Sequence, residues 1–417
     1  MPRNKSVLDR MIPRLSRFEA GRIAKSGSPM KSATRLKPAL AVAAAASFLF
    51  NCAGSYADEA AIKALANRFQ ALPHCESGGV SIGVVDKGAS ALLSVGSVHT
   101  PGGDPRAIRA DDEFEIGSIT KTFTATLYAL ALSEGKVAAD APAQNYMPEG
   151  VNLPVYQREG KAIAITLDSL ARHASGLPRG LEGSPDGLSR EDRIGQLRST
   201  RLLFAPGGGF LYSNLGFAVL ALAMERVYDG RIEDLLPRMV AAPLGMNDTG
   251  FGGGVLEGYR PNGAPAPETN PTWPAFDGAA ALRSTPADMQ RFLLYNMGLT
   301  RSERLSPLLP TLQKTAHLQA RGGEGGGRPR DIGLAWQNAD LPDGRRVTWK
   351  DGNVPGFRSY IGFTADAPQT GVVVMASQNG CRTMKLGRCV LESLGGTTPD
   401  AYCANPEAGG EENGADP

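Results

Sequence analysis

Short apolar runs cluster towards the two ends of the chain, and helical periodicity fills its middle. The runs at 80–85, 91–98, 332–336, 347–350, 360–363 and 371–376 are bounded by turn residues and predict strands. Apolar positions three and four apart predict helices over 122–134, 215–227, 232–240 and 286–297. A shorter strand over 114–117 precedes the first helix, and another helix starts near Thr166. Strands from both ends pairing into one sheet, with a helical insert between them, give an α/β lobe plus an α lobe. The expected division is an α/β lobe over 58–130 and 328–403 and a mostly helical lobe over 131–327. The glycine-rich run 322–327 reads as a flexible loop rather than a phosphate cradle, because no G-K-[ST] follows it. The tail 404–417 is acidic, glycine-rich and poor in apolar residues, which predicts disorder.

The amino terminus has a different pattern. Residues 1–57 hold ten Lys or Arg against two acids, then a twelve-residue run over 39–50 that is apolar but for Ser47, then Ser55-Tyr56-Ala57. A basic lead, a short hydrophobic core and a small-x-small site read as an export signal. The apolar run is too short for a membrane span, so the mature chain is expected to keep none. The lead is long, and Met30 offers a more ordinary start. Cys52 only weakly fits a lipoprotein signal, because Asn51 precedes it; soluble export with cleavage after Ala57 is the expectation.

Removing that segment changes the charge. The whole chain has 44 basic and 42 acidic residues; without residues 1–57 it has 34 and 40, a net charge of −6. With no basic stripe, a nucleic-acid partner is not expected. Four cysteines remain, Cys75, Cys381, Cys389 and Cys403, which permit two disulfides in three connectivities. Cys381 and Cys389 could not bridge on one helix, where eight residues rise about 12 Å. Four histidines (His74, His99, His173 and His317), no H-E-x-x-H and no C-x-x-C leave no metal or cofactor motif.

Candidate chemistry begins at Ser118-Ile119-Thr120-Lys121, an S-x-x-K tetrad where a strand hands over to a helix. A serine in a helix's first turn has a backbone N–H without an intrahelical partner, available to a developing oxyanion. Three residues on, Lys121 returns to the same face, and a lysine held neutral by burial and nearby cations can take the serine proton. Tyr212-Ser213-Asn214 opens the helix at 215–227, placing the tyrosine at a helix entrance. Lys350-Asp351-Gly352 closes the strand at 346–349 and leads through a turn to the next strand. A phenol beside two lysines favours its phenolate form, suited to act as general base in acylation and to activate the deacylating water.

The ordered stretches 115–121 (EIGSITK), 170–178 (LARHASGLP), 212–216 (YSNLG), 243–246 (PLGM), 284–289 (STPADM) and 349–352 (WKDG) resemble the serine β-lactamase and penicillin-binding-protein superfamily. They lie on its class C side, near the AmpH-type D-alanyl-D-alanine carboxypeptidase/endopeptidase group, and the likeness runs from about 79 to 394. It implies an antiparallel sheet flanked by helices. It also implies that Ser118 is acylated, Lys121 is its partner, Tyr212 is the acid/base and Lys350 is the third-motif lysine. Asn214, Asp351, Gly352 and Asn353 would meet the substrate, with the N–H groups of Ser118 and Asn353 as the oxyanion hole. One departure matters. The family's third motif usually has Thr, Ser or another small polar residue where Asp351 stands, and an ionised carboxylate there repels a substrate carboxylate. The implied reaction is acyl transfer on peptidoglycan peptides, with β-lactams or small esters as the alternative. A cell-wall-peptide-binding relative without activity has no need of the full set.

Other readings are weaker. Gly79-Val80-Ser81-Ile82-Gly83 matches G-x-S-x-G, but Ser81 lies inside a strand instead of at a strand-to-helix turn. His173 reads as a cation suited to the helix end, or as a loop anchor. Alone, Tyr212 would be an ordinary helix-entrance tyrosine and Lys350 a solvated edge-strand lysine. Glu115 is expected to pair with a nearby base, and Asp168 to be a first-turn helix acid.

Overall fold

The computed structural model describes residues 59–181, 188–253, 256–267, 277–321, 329–366, 369–396, 403 and 405. The expected export segment, the glycine-rich run 322–327 and the tail beyond 403, Asn405 apart, lie outside them.

Near the amino end, β1 (Gly79–Asp86) and β2 (Ala89–Gly96) form a hairpin. Two ribbons follow: β3 (Phe114–Glu115) with β6 (Arg283–Ser284), and β4 (Tyr156–Arg158) with β5 (Lys161–Ile163). The carboxyl part supplies β7 (Ala316–Leu318), β8 (Arg330–Ile332), β9 (Gln337–Asp340), β10 (Arg346–Val354), β11 (Phe357–Thr364) and β12 (Thr370–Ala376). Among the described residues, the large sheet has eight strands in the order β2-β1-β12-β11-β10-β9-β8-β7. All of its pairs are antiparallel. The two ends of the chain meet where Val80 lies opposite Ala376 and Val84 opposite Val372.

Successive side chains point to opposite faces, so each strand feeds two cores. Val80, Ile82, Val84, Val372 and Val374 pack with α1 (Glu59–Gln70) and α10 (Thr383–Leu394). Val373, Met375, Ile361 and Phe363 join the core beneath α8 (Pro286–Asn296). Each such side chain contributes about 1.5–3 kcal/mol by leaving water. Cys75, just before β1, is bonded to Cys381, just before α10, and Cys389 in α10 to Cys403.

The remaining helices are α2 (Thr120–Ser133), α3 (Leu167–Ala171), α4 (Arg190–Gly195), α5 (Asn214–Tyr228), α6 (Ile232–Leu236), α7 (Asp277–Ala280) and α9 (Leu309–Gln313). Helix α2 is buried on every side from Thr120 to Ala131, where the pattern suggested an amphipathic helix. Its threonines make this possible: Thr122 Oγ1 donates to the Ile119 carbonyl, Thr124 Oγ1 to that of Gly278 and Thr126 Oγ1 to that of Thr122. Buried hydroxyls with backbone partners carry no desolvation penalty worth escaping. No helix among the described residues is long and apolar enough to cross a membrane.

Three strand and helix expectations change. The run 332–336 is a strand only to Ile332; Gly333 N–H donates to the Trp336 carbonyl, and Leu334, Ala335 and Trp336 plug the core. Strand β10 does not stop before the Lys350 motif but carries it, ending only at the Pro355-Gly356 turn. The helix at 232–240 ends its α-helical part at Leu236, because Pro237 has no N–H to continue it.

Candidate active site

Ser118 stands in the 3-10 turn Gly117–Ile119, between β3 and α2. Gly117 has φ +50, and a Cβ there would lie 2.9 Å from the Asn353 nitrogen. A Cβ on Gly352 would run into the Ile116 carbonyl oxygen and the Ser359 hydroxyl. These two glycines let the β10 backbone lie against the Ser118 turn. The Ser359 hydroxyl secures the approach, donating to the Ile116 carbonyl at 2.9 Å.

Lys121 occupies the first turn of α2. Its Nζ donates to Ser118 Oγ at 2.8 Å, to Asn214 Oδ1 at 2.7 Å and to the Ala279 carbonyl at 2.9 Å. An ammonium has three protons, and three acceptors surround this one. Complete burial draws the pKa of Lys121 down to about 8; the Tyr212 phenol opposes that, and the positive Lys350 adds to it.

The Tyr-Ser-Asn triplet turns one helix entrance into three contacts. Ser213 caps α5: its hydroxyl accepts from the Gly216 N–H at 2.8 Å and donates to the Pro178 carbonyl at 2.6 Å. Just before the cap, the Tyr212 hydroxyl donates to Ser118 Oγ at 2.8 Å. Just after it, Asn214 receives Lys121. The ammonium groups of Lys121 and Lys350 stand 4.9 and 5.1 Å from the Tyr212 ring centre, and the Arg179 guanidinium 5.4 Å. Burial alone would raise the phenol's pKa. The charges of Lys121 and Lys350, with the hydrogen bonds shared with Lys121 and Ser118, outweigh it and bring the pKa down.

Lys350 is fully buried in β10, which lies between β9 and β11, so it is not an edge-strand lysine. Its Nζ donates to the side-chain Oδ1 and to the carbonyl of Asp351, both at 3.0 Å. Burial would lower its pKa, but the Asp351 carboxylate and the Tyr212 phenol raise it. Asp351 is itself buried. The negative residue in the third motif therefore neutralises the lysine beside it.

His173 corrects one expectation. It anchors a loop, but as a neutral ring. It has a left-handed backbone (φ +56), and its Nδ1 accepts the Ser213 N–H at 3.0 Å, which leaves the ring proton on Nε2. Burial, then the charges of Lys121 and Lys350, hold its pKa well below the usual value, so no cation caps the helix there. The ring stacks on Tyr212 with centroids 4.3 Å apart. The 173–179 segment also accepts the Leu211 N–H at the His173 carbonyl and the Leu215 N–H at the Arg179 carbonyl. The motif 170–178 signalled this loop. The stacking of His173, the placement of Arg179 and the Ala279 carbonyl carried no sequence signal of their own.

The residues left aside have ordinary partners. Glu115 pairs with Arg283 at 3.4 Å and Asp168 with Arg172 at 2.8 Å. Ser81 is buried within β1. Among the described residues, no group of three or more His, Cys, Asp or Glu is placed to hold a metal ion.

Known proteins resemble this chain over most of its described length. The family model described as Beta-lactamase matches residues 65–386. The D-alanyl-D-alanine-carboxypeptidase/endopeptidase AmpH of Escherichia coli K12 is 28% identical over 298 residues, spanning 68% of this chain and 75% of that protein. Esterase EstB of Burkholderia gladioli is 32% identical over 161 residues, 35% of this chain and 40% of its own. Among solved structures, a β-lactamase/D-alanine carboxypeptidase from Yersinia pestis complexed with citrate superimposes with a TM-score of 0.64. It shares 25% identity and covers 80% of this chain and 97% of its own.

Proposed function

Because this chain belongs to the beta-lactamase family of the serine β-lactamase and penicillin-binding-protein superfamily, and is a serine hydrolase, we propose that it is an exported acyl-transfer enzyme acting on D-alanyl peptides of peptidoglycan. The observation that carries this reading is that Ser118 Oγ receives both Lys121 Nζ and the Tyr212 hydroxyl at 2.8 Å. The catalytic unit we assign is 58–403, with 1–57 removed on export.

In this mechanism Tyr212 is the base. The three acceptors around Lys121 Nζ favour its charged form, and that charge, with Lys350, favours the phenolate. The 2.8 Å contact then reverses, and Ser118 gives its proton to the phenolate as its oxygen attacks the scissile carbonyl. The N–H groups of Ser118 and Asn353 receive the oxyanion, and Asn214 meets the substrate amide. Tyr212 returns the proton to the leaving group as the C–N or C–O bond breaks. A water then enters, gives a proton to Tyr212 and attacks the acyl carbon, and Ser118 leaves with that proton.

The two disulfides support an oxidising compartment. The paired Lys350 and Asp351 support a second reading, ester hydrolysis, in line with the likeness to EstB. The test is intact-protein mass spectrometry with an uncharged N-acyl-D-alanyl thioester. Wild type should gain the acyl mass on Ser118 and Ser118→Ala should not; an adduct that survives the substitution would overturn the assignment.

A further inference from the structure

The Lys350–Asp351 pair says more than which serine reacts. Three cationic groups surround Tyr212. Lys121 donates to Ser118, Asn214 and the Ala279 carbonyl. Lys350 donates to the side chain and carbonyl of its neighbour Asp351. Arg179 is held over the aromatic ring at 5.4 Å. Lys350 is 0% exposed and Asp351 6%, so water does little to screen the pair, and one positive and one negative charge sum to zero beside the nucleophile.

We propose that Asp351 sets the substrate class: the site takes amides and esters whose leaving group has no free carboxylate next to the scissile bond. This rests on the reading of Ser118 as nucleophile. A substrate carboxylate reaching for Lys350 has to displace Asp351 and then lie beside its negative oxygen. Both steps oppose binding, and a neutral carboxamide or ester meets neither. The discrimination comes from a repulsive element built into the site instead of an added attraction to the preferred substrate. Within peptidoglycan the inference favours internal amide bonds with uncharged surroundings over a C-terminal D-alanine.

The experiment compares two N-acyl-D-alanyl thioesters, one leaving as thioglycolate and one as its carboxamide, which differ only in charge. In the wild type kcat/KM should favour the carboxamide by about tenfold or more, an order of magnitude in keeping with a partly screened charge contact. Asp351→Asn and Asp351→Thr should move the ratio towards the carboxylate by a similar factor. A wild-type preference for the carboxylate, or a ratio unchanged in both variants, would overturn the inference. The wild-type ratio decides even if neither variant folds, and active-site labelling with a fluorophosphonate reports whether they do. If neither thioester acylates Ser118 in the wild type, the nucleophile assignment has failed instead, and the two failures stay distinct.

Discussion

Two buried lysines face Tyr212, one from helix α2 and one from strand β10, at 4.9 and 5.1 Å from its ring. Both are wholly buried, yet their pKa values move in opposite directions. Lys121 is surrounded by neutral oxygens, so burial wins and its pKa falls to about 8. Lys350 has the Asp351 carboxylate at 3.0 Å, so charge wins and its pKa rises. Burial does not set the state of a buried lysine by itself; the charge of its nearest partner does. The site thus has one cation near its titration point beside Ser118 and one locked cation behind Tyr212.

The comparison predicts unequal losses. Lys121→Met removes the contact to Ser118 and should lower the acylation rate by about 10³-fold or more, measured with the neutral thioester. A loss below tenfold would mean that Lys121 only fills space. Lys350→Met should lower it less, by about 10²-fold, because Lys350 acts on Tyr212 and is not in contact with Ser118 in the way Lys121 is. The same substitution strands the Asp351 carboxylate, and thermal unfolding should show about 3–5 kcal/mol of destabilisation. Adding Asp351→Asn should recover most of that stability without restoring the rate; failure to recover it would show that the pair is not the cause.

The pH profile sharpens the contrast further. As pH rises through about 8, Lys121 loses its proton, and with it the charge that favours the Tyr212 phenolate. The kcat/KM profile should therefore fall on its alkaline side near pH 8. Since Lys350 helps to depress Lys121, Lys350→Met should move that limb to higher pH. A rate that climbs through pH 8 would make neutral Lys121 the base. The smallest effect belongs to a pair at the end of α3: Asp168→Ala, which breaks the half-exposed contact with Arg172, should change stability by no more than about 1 kcal/mol in denaturant unfolding and leave kcat unchanged.

Most of this architecture was legible in the chain. Strands at the two ends of the sequence meet as β1 against β12, because their alternating apolar residues have two faces to bury. The apolar run 332–336 misled because periodicity does not distinguish a strand from a core plug, and the backbone of Leu334 and Ala335 is satisfied by Leu312 and Ala171 instead of a sheet neighbour. The site motifs announced Ser118, Lys121, Tyr212 and Lys350, since short spacings tie the first three to helix entrances and the last to a strand. What the spacing did not convey was long-range company. The Ala279 carbonyl reaches Lys121 from 158 residues away, and His173 meets Tyr212 only because a loop folds under it. Even Asp351, adjacent to Lys350, looked like a charge aimed at substrate, and the structure turns it onto its own neighbour.

We would measure, by rapid-quench intact-protein mass spectrometry with the uncharged N-acyl-D-alanyl thioester, the rate of adduct formation in wild type, Ser118→Ala and Tyr212→Phe. We expect a single adduct on Ser118, none in Ser118→Ala, and formation slowed by about 10³-fold in Tyr212→Phe. An adduct on another residue, or one that forms at the wild-type rate without the Tyr212 hydroxyl, would contradict it.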